Sequence, residues 1–139
     1  PRSTLFPYTT LFRSLAVEET RFERLGCFPY CHEEHAPAYR LHDDVDSEVK
    51  QDRVAKIMAS QEEISQKKNR SFEGREIDVL VDQVKNRMVF GRTEYDAPEV
   101  DNECILENES FNLHPGMFCR ARITGSTPYD LEGEVTGTE

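Results

Sequence analysis

The sequence predicts an α+β chain in which a helix-bearing first half runs into a small five-stranded antiparallel β-barrel of the OB kind. Three observations carry that reading. Between Asp46 and Arg70 the apolar residues recur at helical spacing. From Phe72 onward the spacing becomes two, as a half-buried strand requires. Between the alternating runs stand Asn, Gly and Pro, the residues that turns use.

The chain opens on Pro1, its first methionine is Met58, and "TLFPYTTLFRS" (Thr4 to Ser14) resembles a translated sequencing-library adapter. Residues 1–14 are therefore expected to be a non-native, unstructured leader, with the natural protein continuing upstream of Leu15. The competing reading is an edge strand, since Leu5, Phe6, Leu11 and Phe12 are apolar and Pro7 is tolerated at an edge.

Leu15 to Asp46 is mixed in character. Its apolar passage "RLGCFPY" contains Gly26 and Pro29, which disfavour helix, so a strand running out into a loop is expected, kept irregular by Pro37. Asp46 or Ser47 can cap the helix after it. Glu48 in its first turn and Lys67, Lys68 and Arg70 in its last complement the helix dipole. Val54, Ile57, Met58, Gln61 and Ile64 make its packing stripe.

Five strands are expected beyond the helix, in "REIDVLVDQV", "RMVFGRTE", "ECILE", "MFCRARIT" and "DLEGEV". Ile77, Val79 and Val81 alternate with Asp78, Leu80 and Asp82. Met117, Cys119, Ala121 and Ile123 alternate with Arg120, Arg122 and Thr124. Lys85-Asn86-Arg87, His114-Pro115-Gly116 and Gly125 to Pro128 supply the turns. Five short strands in so short a stretch suggest a closed barrel.

The charge is unevenly spread. The net charge is −10, and Ser71 to Glu139 holds 15 acidic residues against 6 basic ones. The cations of that half are Arg75, Lys85, Arg87, Arg92, Arg120 and Arg122. Such a surface repels phosphate backbones, which bind by exchanging counterions for lysine and arginine. It attracts a basic protein. Direct nucleic-acid binding is thus disfavoured. Arg92, surrounded by carboxylates, is expected to pair with one of them. No apolar run approaches the roughly 20 residues of a membrane helix. Four cysteines in an acidic chain do not form a disulfide framework, so reduced thiols and a cytoplasmic location are expected.

"CFPYCHEEH" places Cys27, Cys31, His32 and His35 within nine residues. A structural zinc site needs four converging ligands, usually as two pairs held by separate segments. Here Pro29 splits the cysteines, and no spacer separates them from the histidines. The interval from Cys27 to Cys31 is also the first interval of the C-x3-C-x2-C run that holds an iron–sulfur cluster, but the third position is Glu34. The plainer reading makes Cys27 a small buried apolar residue and Cys31 a small residue at the strand end. Cys104 and Cys119 lie in strand patterns and are expected to be core thiols. His42 and His114 are expected to be exposed. No Gly-rich phosphate loop and no Ser–His–Asp set is present.

"RLGCFPYCHEEHAPAY", the helix "SEVKQDRVAKIM", "VFGRTEYDAPEVD" and "PGMFCRARITGSTPYDLEGEV", in that order, resemble the C-terminal part of the ribosomal-protein aspartate methylthiotransferases, radical S-adenosylmethionine enzymes with a TRAM domain. The specific string is "GRTEYDAPEVD", carrying Gly91, Arg92, Thr93 and Pro98. The related transfer-RNA methylthiotransferases share the Gly-Arg-Thr element but lack the Asp-Ala-Pro-Glu-Val-Asp run. Family members usually have serine where this chain has Cys31, whereas Glu33 and Glu34 match.

The resemblance implies that residues 15–70 are the last strand and helix of a radical α/β barrel and residues 71–139 a TRAM barrel. It implies a parent that uses S-adenosylmethionine and two 4Fe-4S clusters to add a methylthio group to an aspartate of small-subunit ribosomal protein S-twelve. The cluster ligands would lie upstream, so this chain is expected to hold no catalytic residue, to bind no metal and to be inactive alone. Its part would be docking of the basic substrate. Glu94, Asp96, Glu99 and Asp101 are the docking candidates, against the alternative that they are solvated loop charges, with Asp96 and Asp101 serving turn geometry. The competing functions are a transfer-RNA methylthiotransferase or RNA-binding TRAM module, and a small zinc protein. The half-barrel segment, torn from its other strands, is expected to be poorly ordered in solution.

Overall fold

A computed structural model describes residues 15–97 and 102–138 of the chain. It divides into two compact units, one ending at Gln61 and one beginning at Glu62, so that the boundary falls inside the long helix α1 (Ser47–Arg70).

In the first unit, residues 15–20 are helical and Pro37–Arg40 forms a 3-10 turn, with Pro37 at a position where its missing N–H costs nothing. The strand expected in "RLGCFPY" does not form. A strand is held by a neighbour's N–H and C=O groups, and among the described residues no second strand lies before the barrel. Cys27 is half-buried rather than buried, and Cys31 is exposed. The start of α1 is where Lys50 N–H donates to the Asp46 carbonyl at 3.0 Å. On its stripe Gln61 is buried, and Val54, Ile57 and Met58 are half-buried. The buried Gln61 is held by donating to the Phe22 carbonyl at 3.0 Å.

The second unit begins with the last turns of α1, whose Ile64, Ser65 and Asn69 are buried. Asn69 donates to the Thr127 carbonyl at 2.9 Å. After Arg70 the chain turns through Gly74, whose φ of +80° lies in the left-handed region that a side chain resists. Its N–H then donates to the Ile123 carbonyl at 2.8 Å and starts the barrel.

The barrel is built of β1 (Glu76–Lys85), β2 (Met88–Arg92), β3 (Cys104–Glu107), β4 (Phe118–Ser126) and β5 (Leu131–Thr138). They close in the order β1-β2-β3-β5-β4. Closure leaves no unpaired sheet edge to recruit another chain. The five expected strands all form, but the barrel is not wholly antiparallel. β3 and β5 run parallel, Cys104 opposite Leu131 and Glu107 opposite Glu134, because the chain leaves β3 for β4, on the far side of β5, and only then returns as β5.

β1 serves two neighbours, pairing with β4 from Glu76 to Leu80 and with β2 from Leu80 to Lys85. The register shift between Val81 and Gln83 bends the strand between those duties. Asn86, at φ 55°, makes the tight turn into β2; asparagine tolerates that conformation better than most residues. Inside, Val79, Val89, Leu106, Cys119, Ala121 and Ile123 are wholly buried and pack with Val81, Cys104, Leu113, Leu131 and Val135. This is the inward half of the two-residue alternation read from the sequence.

Candidate docking groove on the barrel

The outward half of that alternation builds the site. On the outer face of β2, β1 and β4, cross-strand partners lie in rows. Arg92, Leu80 and Phe118 form one row. Asp78 faces Arg120, and Glu76 faces Arg122, which in turn faces Glu134. The charged rows become ion pairs: Arg120 Nε to Asp78 Oδ1 at 3.3 Å, Arg122 to Glu76 at 2.9 Å and Arg122 to Glu134 at 3.9 Å. Arg92 is held by Asp82 at 3.1 Å, a carboxylate partner of the kind expected from its surroundings. At half-exposed positions such pairs contribute little stability. They do occupy the cations that a phosphate would need.

Gly91, Arg92 and Thr93 have separable structural roles. A Cβ on Gly91 would stand 2.5 Å from the Leu80 carbonyl oxygen and 2.7 Å from Val79 Cγ1, so only glycine lets β2 lie against the bend of β1. Arg92 ties β2 to β1 through Asp82. The buried Thr93 organises the turn after β2. Its hydroxyl donates to Asp96 Oδ2 at 2.5 Å and accepts from the Tyr95 N–H at 3.2 Å, and its own N–H donates to the same Asp96 oxygen at 3.3 Å. Asp96 N–H returns to the Thr93 carbonyl at 3.2 Å. One Asp96 oxygen is thus engaged in shaping the turn, while Glu94 is exposed. Pro98, Glu99 and Asp101 lie outside the described residues.

The turn forms one wall of a groove of about 670 Å³ in the barrel unit. Its apolar lining is Phe72, Ile77, Leu80, Tyr95 and Phe118; its charged lining is Arg75, Asp78, Arg92, Glu94 and Asp96. Phe72 and Tyr95 meet at 6.3 Å between ring centroids and 49° between planes. Tyr95 and Phe118 are each about half exposed. The Arg75 guanidinium lies 5.4 Å from the Phe72 ring centroid. Of the acidic residues that line this groove, sequence reasoning singled out Glu94 and Asp96 but not Asp78, and it missed the three aromatic rings. The available signal was Phe118, a bulky apolar residue at an outward position of an alternating strand.

The cysteines and histidines of "CFPYCHEEH" do not converge. Tyr30 Oη lies 3.2 Å from His32 Nδ1, and the His32 ring packs on Tyr39 at 4.4 Å. Among the described residues no three His, Cys, Asp or Glu side chains are placed to hold a metal ion. The donor set also does not suit an iron–sulfur cluster: two thiolates, one exposed and one half-buried, with Glu34 at the third position, fall short of the three cysteines such a site uses. Cys104 and Cys119 are buried, and burial pushes the Cys119 thiol up, with the Asp78 carboxylate adding to the effect. His42 and His114 are exposed. Among the described residues no helix is long and apolar enough to cross a membrane.

Residues 74–136, which cover nearly all of the closed barrel, match the TRAM domain family. The chain is 77% identical over 121 residues, 87% of its length, to the ribosomal protein uS12 methylthiotransferase RimO of Chlorobium limicola. Identity is 68% over 121 residues to the protein of that name from Pelodictyon phaeoclathratiforme, and 52% over 120 residues to one from Chlorobium phaeobacteroides. The chain belongs to this ribosomal-protein methylthiotransferase family and corresponds to its C-terminal part. It spans 28% of the length of each of these three relatives.

Proposed function

We propose that this chain is the substrate-docking part of a radical methylthiotransferase that modifies an aspartate of ribosomal protein uS12. The observation that carries the reading is the 77% identity to a uS12 methylthiotransferase, which extends over 87% of the chain. In the whole protein, S-adenosylmethionine and two 4Fe-4S clusters, held by residues upstream of this chain, would supply hydrogen abstraction and sulfur. The residues present here bind and orient. Residues 15–70 contribute the end of the radical domain, the TRAM barrel begins at residue 71, and the enzyme works in the cytoplasm.

Electrostatics support docking of a basic protein by the barrel. In Ser71 to Glu139, 15 carboxylates outnumber 6 cations, and Arg92, Arg120 and Arg122 are already paired on its surface. An acidic surface steers a basic partner and suppresses polyanions. Glu94, exposed beside the groove, is a direct candidate for contact, whereas Asp96 acts by holding the turn. Glu99 and Asp101 continue the acidic run in sequence.

Binding of the 139-residue chain to purified uS12 and to a ribosomal RNA fragment, each across a salt series, tests this. Saturable binding of uS12 that weakens with salt, with RNA bound at least about tenfold less tightly, is the expected result. Preferential RNA binding with a steep salt slope would return the chain to the RNA-binding class.

A further inference from the structure

Within the barrel groove we infer a subsite for one lysine or arginine side chain of an extended basic polypeptide. This deepens the docking reading and rests on it for the identity of the partner, but the geometry carries the chemistry. Phe72, Tyr95 and Phe118 give one groove three ring faces, and two of those rings remain about half exposed. The face of an aromatic ring attracts ammonium and guanidinium groups. The groove already holds one such pairing, since Arg75 lies over Phe72 at 5.4 Å.

The charges around the rings select for a cation. Glu94 is exposed in the same lining, with no cationic partner among the described residues. Two of the positive groups nearest the groove are neutralised, Arg92 by Asp82 at 3.1 Å and Arg120 by Asp78 at 3.3 Å, while the third, Arg75, lies over the Phe72 ring. An incoming aliphatic stem would lie along Leu80 and Phe118 while its charged head reaches Glu94, the division that long basic side chains favour. A nucleotide would stack on the same rings but bring its phosphate to a carboxylate.

The test titrates the ¹⁵N-labelled 139-residue chain with capped Gly-Arg-Gly and Gly-Lys-Gly. Capped Gly-norleucine-Gly serves as the uncharged isostere, and oligouridylate represents nucleic acid. The Arg and Lys probes are expected to shift the Glu94, Tyr95 and Phe118 amides. Norleucine should bind about tenfold more weakly, the scale of one cation–π contact. Phe118→Ala, at an exposed position, and Glu94→Gln should each weaken the response while the rest of the spectrum is kept. Equal binding of norleucine, stronger shifts with oligouridylate, no shift with any probe, or a Phe118→Ala titration matching the parent would each overturn the subsite. If wild-type chain ignores uS12 yet answers the Arg probe, the docking reading fails and the subsite stands. If uS12 binds Phe118→Ala and the parent equally, the reverse holds.

Discussion

In the barrel unit eleven apolar side chains close around one another as a single core. Among the described residues up to Gln61, Val17 is the one apolar side chain buried to that degree. Phe28 is 86% exposed and Leu41 70% exposed there, around a groove of about 610 Å³ that also includes Tyr30 and Val54. The two regions differ in how their backbone groups are satisfied as well. Every strand of the barrel has two neighbours, whereas residues 21–33 belong to no helix or strand. The contrast shows which part carries its own folding energy. Hydrophobic burial and closed hydrogen bonding act together in the barrel strands, whereas among the described residues before Glu62 apolar burial is slight and few long-range contacts, such as Gln61 to the Phe22 carbonyl, supplement the local helix and turn preferences.

Hydrogen exchange gives the largest expected effect. Amides of Val79, Leu106, Cys119 and Ile123 should exchange roughly a thousandfold or more slowly than those of residues 22–46, since the former need global opening and the latter only local fluctuation. Equal protection in the two regions would erase the comparison. Thiol labelling reads the same difference by another route. Cys31 is exposed, whereas Cys119 is buried and its thiol is pushed up by that burial, so less of it is thiolate at neutral pH. Under native conditions Cys31 should alkylate at least about a hundredfold faster than Cys104 or Cys119, and denaturant should abolish the gap.

Substitutions sharpen the comparison in free energy. Leu106→Ala, at a wholly buried position, should destabilise the barrel by about 2–5 kcal/mol in urea unfolding, while Leu41→Ala should stay within about 0.5 kcal/mol. Gly91→Ala should cost about 3 kcal/mol, because the backbone oxygen it would meet at Leu80 belongs to the bend of β1 and cannot swing away. A Gly91→Ala barrel as stable as the parent would mean that the bend is soft.

The barrel was legible in the sequence because its alternation holds through the inner stretches of β1 and β4. Val79 with Val81, and Cys119 with Ala121 and Ile123, point inward as the two-residue period requires. The parallel β3–β5 ladder was not, because alternation reports which face a residue takes and not which strand lies beside it. The missing strand at "RLGCFPY" failed for the converse reason: local composition permits a strand, but pairing is a long-range property. The helix bounds were marked by the capping residues near Asp46 and the basic last turn. Of the site, the Arg92 ion pair could be anticipated from local charge. The role of Thr93 in fixing Asp96, and the convergence of Phe72 on Phe118, depend on contacts that no local pattern encodes.

The smallest expected effect lies in the first unit and asks whether polar contacts supply any of the order that its apolar residues do not. Lys50 Nζ stands 2.6 Å from Asp43 Oδ2, and that hydrogen bond, more than any other influence, holds the Asp43 carboxyl below its ordinary value of 3.8. A carboxylate with a lowered folded-state pKa stabilises the fold above its unfolded value, and that contribution is lost as pH falls through the folded value. The Lys50–Asp43 contact should therefore be intact at neutral pH and persist past pH 3.8, breaking only under more acidic conditions. A ¹³C titration of the Asp43 carboxyl should show the lowered midpoint, and Lys50→Met should restore the ordinary one. The barrel core, which holds no carboxylate, should not change over that range. If Asp43 titrates at its ordinary value in the parent chain, the contact does not persist in solution, and this unit loses one of the few fixed points that tie its loop to α1.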